Sequence, residues 1–468
     1  MSTYESFKSQ FKGDLITSGH ADYQKAIARW ACNAERQAKI VAYVKEPSDV
    51  ALSIAYARDN KLPLAVHCGG HSALGSSSAE DGLVIDLSRY FRTARVDPEA
   101  KLVYVGGGAL WENVEKAAIE HGLVTIAGTV SHTGVMGLLL GGGFGWLSGL
   151  HGLAVDNLVQ ATMVVPDGRI LTASEKENPD LFWAIRGGGS NFGVCVEAVL
   201  KLHPQRRTIY TGAAVYSTDI LEELISRTEK WWSKGISGKE AMIHVFGPGP
   251  DGKPVITIMF MYNGSEAEGR ANFKDFLDLK PLVDHTAEMP YENLNALQNP
   301  FVDHGEGRYM KGIFFKRPDL PSIKKALDRI VELNTPEVLG NFVLEYIATD
   351  KVAEVPKGTM AFSQRGAANS VSMWNWKKDT PENLEHARTS GREIARILAD
   401  GQVQRGEHNV QGGYGNYDHD TLHVEGEEVV SEDKAAALYG SNYARLQRLK
   451  KEYDPDMLFN KWFPIVPA

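Results

Sequence analysis

Three glycine-dense stretches concentrate the chemistry in this sequence. They are His67-Cys68-Gly69-Gly70-His71-Ser72, the run from Gly134 through Gly137, Gly141, Gly142 and Gly143 to Gly145, and Gly187-Gly188-Gly189-Ser190-Asn191-Phe192-Gly193. Glycine lets the backbone turn through positive φ and approach a ligand closely, presenting several N–H groups to phosphate oxygens. A single cluster of this kind is most often a plain turn. Three of them between residues 67 and 193, the first with a histidine embedded, predict a large cofactor with a diphosphate and a ring system. Neither common nucleotide loop fits. Gly141–Gly145 reads GGGFG rather than GxGxxG, and no GxxxxGK[ST] occurs.

Such loops need rigid elements to hold them. Ile40–Val44 reads as a strand, Pro47-Ser48-Asp49 opens a helix with Ser48 as its N-cap, and Leu64–His67 is the next strand. This β-α-β pattern favours parallel strands and delivers the chain into Gly69-Gly70. Leu83–Leu87, Leu102–Val105, Leu158–Val165 and Val194–Leu202 read as further strands. A helix near Trp111–His121 stops at Gly122, and Asn178–Ile185 makes a short capped one. After His203-Pro204 glycine thins out, and Val255–Tyr262 and Val371–Trp376 alternate with period two. That pattern predicts an antiparallel sheet with one face buried or lining a pocket. Tyr439, Tyr443, Leu446, Leu449 and Tyr453 fall at helical spacing before Pro455.

With 468 residues the chain exceeds one ordinary core. The expected layout is one domain over 1–205, an inserted one over 206–407, and a return to the first over 408–468. A net charge of −9 argues against nucleic acid as a partner. Cys32, Cys68 and Cys195 are far apart without CxxC spacing, so neither a disulfide framework nor a zinc site is expected. No apolar run approaches the ~20 residues that span a bilayer. Met1–Leu15 lacks the apolar run and cleavage site of a signal peptide, which predicts an intracellular protein away from membranes.

The first cluster, followed by Gly82-Leu83-Val84-Ile85-Asp86-Leu87, resembles the flavin-attachment stretch of FAD-linked oxidases. Ala127-Gly128-Thr129 with Gly134–Leu147 is similar to their second FAD loop. Gly152–Leu158, Asp180–Gly189, Tyr439–Leu446 and Tyr453-Asp454-Pro455 resemble later family motifs in the same order. The likeness spans nearly the whole chain and is nearest the berberine bridge enzyme-like branch of the vanillyl-alcohol oxidase/PCMH-type superfamily. It implies an α+β fold: a PCMH-type FAD-binding domain of two α/β subdomains, and a substrate domain whose antiparallel sheet is flanked by helices. It also implies FAD joined through its 8α-methyl to His71. Around it would stand His67, Cys68, Gly69, Gly70, Ser72, Thr129, Thr133, Gly134, Gly137, Gly141, Gly142, Gly143, Asn157, Gly193 and Val196. A neutral imidazole on a glycine turn is a suitable nucleophile for that bond.

Departures from the family pattern refine these expectations. Many relatives carry a second, cysteinyl link where this chain has Val130, so a single covalent link is expected. Thr133 stands at the oxygen-gating position, often Val, and matches Val in shape, which favours an oxidase. Gln364 replaces a customary His before Arg365. Gln411–Asp418 resembles the segment whose Tyr and Asn residues stand near flavin and substrate. That makes Tyr414, Tyr417 and Asn416 the catalytic candidates, with a tyrosine as base if a cation or donor lowers its pKa. Strand alternation would turn only one tyrosine toward the ring. The expected activity is oxidation of an alcohol, carbohydrate or secondary metabolite with O2 reduced to H2O2, by a monomer or homodimer. The alternatives are a dehydrogenase using another acceptor and a flavin-binding protein without turnover.

Overall fold

Ile40–Tyr43 and Leu64–His67 form as strands, but they do not touch. Leu83–Asp86 lies between them and pairs in parallel with both, while Asp14–Ile16 pairs antiparallel at the other edge. The helix between the two strands, Pro47–Asp59, begins one residue before the expected start. Glu46 is its N-cap and Pro47 its first residue, where a missing N–H goes unused. Ser48 therefore sits inside the first turn rather than capping it. Asp49 turns its carboxylate instead to the backbone N–H groups of Lys12 and Lys45, at 2.9 Å each.

The computed structural model describes residues 3–407, 413–417, 423–425, 428–430 and 434–468. A second sheet of five antiparallel strands runs in the order Ala94–Asp97, Leu102–Gly106, Val194–Lys201, Leu158–Val164, Ile170–Ser174. The third sheet, of eight strands, is also antiparallel. Its path is Val283–Asp284, Thr208–Ser217, Pro254–Tyr262, Glu240–Pro248, Val338–Ile347, Ala368–Trp376, Gly307–Phe315, with Ala287–Pro290 also pairing with Thr208–Ser217.

Period-two alternation gives this large sheet two different faces. Phe342, Leu344, Tyr346, Trp374 and Trp376 turn to the helices Leu221–Ser233, Leu320–Leu333 and Pro381–Gln404, forming one core. Ile243, Val343, Ile347 and Val371 turn the other way and join the core built on the second sheet. The fold is thus α+β, with helices flanking one face of the antiparallel sheet. Of the two alternating strands singled out in the sequence, Ala368–Trp376 reaches the cleft described below, whereas Pro254–Tyr262 is core on both faces. No helix among the described residues is long and apolar enough to cross a membrane.

The chain's last helix, Tyr443–Tyr453, locks onto the third glycine cluster. Lys450 is fully buried, and its Nζ donates to Asp454 Oδ2, Asn191 O and Phe459 O, each at 2.7 Å. Asn191 Nδ2 in turn donates to Gly188 O and Trp462 O.

Candidate active site

The first glycine loop leaves Leu64–His67 and turns at Gly70, whose φ of +66° suits glycine. A methyl group there would meet His67 Nε2 at 2.6 Å, so His67 packs beneath the turn. Its Nδ1 lies 2.8 Å from Asp86 Oδ2. Burial works against ionisation of Asp86, yet His67 and two bonds from Ser88 hold its carboxyl below the ordinary range. The turn sets His71 flat against Trp30, with ring centroids 4.1 Å apart and planes 13° from parallel. His71 Nε2 is 3.0 Å from His132 Nδ1. Burial first, then His132, His304 and Arg308, keep the His71 imidazole well below its usual range, hence neutral at physiological pH.

The second loop runs through Thr129, Val130 and Thr133 into the short helix Val135–Leu140. The segment 413–417 packs against it. Tyr414 Oη accepts from the backbone N–H groups of Gly143 (2.7 Å) and Phe144 (3.3 Å) and from Asn416 Nδ2 (2.7 Å). Asn416 Nδ2 also donates to Leu138 O. A side chain at Gly141 would collide with the Asn416 amide, and one at Gly142 with the Phe362 ring. Residues 414–417 form a turn, Tyr417 N–H donating to Tyr414 O at 2.7 Å, so the expected strand alternation does not hold. Both tyrosines reach the same cleft, their rings 5.1 Å apart. Gln411, Gly412 and Asp418 lie outside the described residues.

Tyr417 leads to a residue that sequence reasoning missed. Its Oη donates to Glu345 Oε1 at 3.0 Å. Glu345 sits on Val338–Ile347, is 3% exposed, and is pushed by burial up to about 7 against bonds from Tyr417 and Asn369. Burial and then Glu345 push the Tyr417 phenol well above its ordinary value. Burial likewise pushes Tyr414 up to about 12, despite its three donors. A bond from Thr129 works to lower the Tyr417 phenol, but burial and the Glu345 carboxyl outweigh it, so Tyr417 is not held in the range of a tyrosine base. Near neutrality the group in this pair that exchanges a proton is Glu345.

These parts converge on one cleft that opens to solvent. Cys68, Gly69, Gly70, His71 and Ser72 line it from the first loop, and Thr129, Val130, Thr133, Gly134 and Gly137 from the second. Gly193 comes from the third, and Trp462 from the chain's end. Tyr414, Asn416, Tyr417 and Glu345 complete the wall. His67, Gly141, Gly142, Gly143, Asn157 and Val196 are not part of this lining. His67 and the three glycines support the loops from behind, as above. Asn157 donates to His151 O and Leu153 O and meets His203 Nε2 at 2.7 Å, while Val196 O accepts from Gly107 N–H. Gln364, at the departure from the family's His, donates to Gly413 O at 3.0 Å and so steadies the tyrosine turn. Arg365 forms a buried pair with Asp156 at 2.7 Å. Among the described residues no group of His, Cys, Asp or Glu has metal-holding geometry.

The family model described as FAD binding domain matches residues 38–174, and that described as berberine and berberine like matches residues 413–464. FAD-linked oxidoreductase pgmH of Aspergillus terreus is 32% identical over 484 residues, covering 99% of this chain and 96% of that protein. The chain belongs to the berberine bridge enzyme-like family of FAD-linked oxidoreductases. Another relative in the same family, (R)-6-hydroxynicotine oxidase of Paenarthrobacter nicotinovorans, is 26% identical over 465 residues, with 97% of each chain covered. The fold matches solved BBE-like 1 of Physcomitrella patens with a TM-score of 0.83 at 20% identity, over 99% of each chain.

This family member's cleft fits FAD on its own chemistry. A Cβ added at Gly137 meets nothing within 4 Å, so open space stands over the short helix where a cofactor can lie against backbone. Gly193, at φ +129°, brings the third loop to the same cavity. The open space at Gly137 is what backbone approach to a diphosphate needs, whereas at Gly193 the Val164 backbone bars a side chain. The neutral His71 ring stands at one wall and Glu345 with Tyr417 at another.

Proposed function

We propose that this FAD-linked oxidoreductase is an oxidase carrying FAD bonded to His71 alone. In this reading residues 1–205 and 408–468 form the cofactor domain and residues 206–407 the substrate domain. The observation that carries the proposal is the cleft itself. It brings a neutral, nucleophilic His71 to one wall and a near-neutral Glu345–Tyr417 pair to another. Val130, at the place of the second link in many relatives, offers no sulfur, which supports a single bond. Backbone N–H groups of the glycine loops and Ser72 would hold the cofactor.

Bound FAD supplies a two-electron acceptor which, with O2 as final oxidant, turns a secondary alcohol into its ketone, the two hydrogens lost from carbon and oxygen ending in H2O2. The chain's own part is proton handling. Glu345, ionised above about pH 7, receives the substrate hydroxyl proton directly or through Tyr417 Oη. Tyr414 and Asn416 orient that wall by tying it to Gly143, Phe144 and Leu138. The apolar lining keeps water from competing as a proton donor. Thr133, the size of a valine and set on the cleft wall, leaves room for dioxygen. The relative named (R)-6-hydroxynicotine oxidase lends the oxidase class further support.

The test is a denaturing gel viewed under ultraviolet light after acid treatment. A fluorescent band should appear for the native chain and vanish in His71→Ala, and the native protein should form peroxide with an alcohol substrate. A dark band from a yellow native protein would refute the covalent link. Substrate bleaching that air does not reverse would refute the oxidase assignment.

A further inference from the structure

The cleft face of the large sheet can be read pair by pair. Along Ala368–Trp376, alternation places Asn369, Val371 and Met373 on one face. Opposite them stand Glu345, Val343 and, on the far strand, Met310. From Asn369 to Met373 this face extends about 13 Å along the strand. At the methionine end it meets Val302 and Val130 in an apolar cluster beside Trp30. Asn341, opposite Met373, does not line the cleft, so the part of this face that does is Val343, Val371, Met373 and Met310 with Glu345 as its polar end.

Three polar atoms of the cleft-lining residues are buried without a hydrogen-bond partner: Ser77 Oγ, which follows the first glycine loop on the cofactor side, and Glu345 Oε2 and Gln298 Nε2 away from that loop. Gln298 is firmly placed by its neighbours. Asn295 O accepts from Ser131 N–H at 2.9 Å, and Asn299 Nδ2 donates to Ser131 Oγ at 2.8 Å. These bonds tie the segment carrying Gln298 to the second loop. Unpaired buried donors and acceptors are costly, and a ligand that pairs Glu345 Oε2 and Gln298 Nε2 recovers that cost.

We infer that the substrate is a small, hydrocarbon-rich ring compound with two polar groups. A hydroxyl or N–H at the reacting end donates to Glu345 Oε2, and one acceptor toward the other end takes the Gln298 Nε2 proton. Oligosaccharides do not fit. Val343, Val371, Met373, Met310 and Val302 offer a sugar's many hydroxyls no partners, so each would be desolvated unpaired. This inference rests on reading the cleft as an oxidase site.

The purified flavoprotein is titrated with 1-tetralol, with 6-methoxy-1-tetralol, which adds one distal acceptor, and with cellobiose. Binding is read from the perturbed visible flavin absorption and turnover from peroxide. The methoxy alcohol should bind at least about tenfold more tightly than 1-tetralol, and cellobiose should leave the spectrum unchanged. In the near-isosteric Gln298→Met, affinity for 1-tetralol should be kept while the methoxy preference falls to within about twofold. The retained 1-tetralol affinity shows that the variant is folded. If Gln298→Met does not fold, Gln298→Glu, which replaces the donor by an acceptor at equal size, should likewise abolish the preference. A methoxy preference that survives loss of the Gln298 donor, or tighter binding of cellobiose, overturns the inference. Gln298-dependent binding with no peroxide from either tetralol would leave the ligand class standing and sink the oxidase reading instead.

Discussion

Replacing Glu345 by Gln tests the proton-transfer argument directly. The amide matches the carboxyl in size, and its oxygen can still accept the bond that Tyr417 Oη donates at 3.0 Å. What disappears is the ability to take a proton. Loss of a positioned general base costs about 10²- to 10⁴-fold in rate, roughly 3–5 kcal/mol of barrier. In the native enzyme Glu345 must be ionised to act, so kcat/KM should climb with pH and level off above about 7. The variant should be slow and show no inflection there. The assay is anaerobic stopped-flow loss of visible flavin absorption across that pH range. Stability gives an independent readout with a fixed sign. A carboxyl raised from its ordinary 4.5 to about 7 binds more protons folded than unfolded. Native stability therefore falls as pH rises from 4.5 to about 7, by roughly 3 kcal/mol in all. Glu345→Gln should escape that loss and melt above the native protein at pH 8, with little difference near pH 4.5. A variant that keeps the inflection near 7, or loses less than about tenfold in bleaching rate, would refute the assignment of Glu345.

Tyr414 and Lys450 give different outcomes because their surroundings differ. Tyr414→Phe leaves three donors, Gly143 N, Phe144 N and Asn416 Nδ2, without their acceptor in a buried site. It should cost about 2–4 kcal/mol in urea unfolding while turnover stays measurable, and a stable but inactive variant would mean Tyr414 is itself the proton carrier. Lys450→Met strands the Asp454 carboxylate and frees Asn191 O and Phe459 O. About 3–5 kcal/mol should be lost, together with flavin retention, and Asp454→Asn added to it should recover part of the loss. Additive losses in the double variant would show that the pair is not what holds the tail.

The elements around the cofactor were legible because their signals are local. Strand patterns and glycine loops follow one another along residues 40–202, and the structure has them nearly where the sequence places them. Two departures from the sequence reading, at 47–48 and at 413–416, are also local. Pro47 at the first helical position outranked Ser48 as a boundary signal, and Gly-Tyr-Gly-Asn over 413–416 is turn composition that was read as a strand. Glu345 escaped for another reason. It left one trace, being the only charged residue in Val338–Ile347, a run otherwise fit for a buried strand. Nothing nearby in sequence says that Tyr417 and Asn369 lie against it. Gln298 left no trace at all, since an amide in a polar segment is unremarkable until its Nε2 is seen to be buried without a partner beside the cleft. Neither group has its chemistry intrinsically. On a surface Glu345 would titrate near its ordinary 4.5 and hold alkoxide-forming protons poorly at pH 7. The strands that bury it raise it to about 7, and the same burial leaves Glu345 Oε2 and Gln298 Nε2 waiting for a ligand. The sheet's packing and the protonation of Glu345 therefore have one cause, which is why a motif search that finds the cofactor loops does not find Glu345 or Gln298.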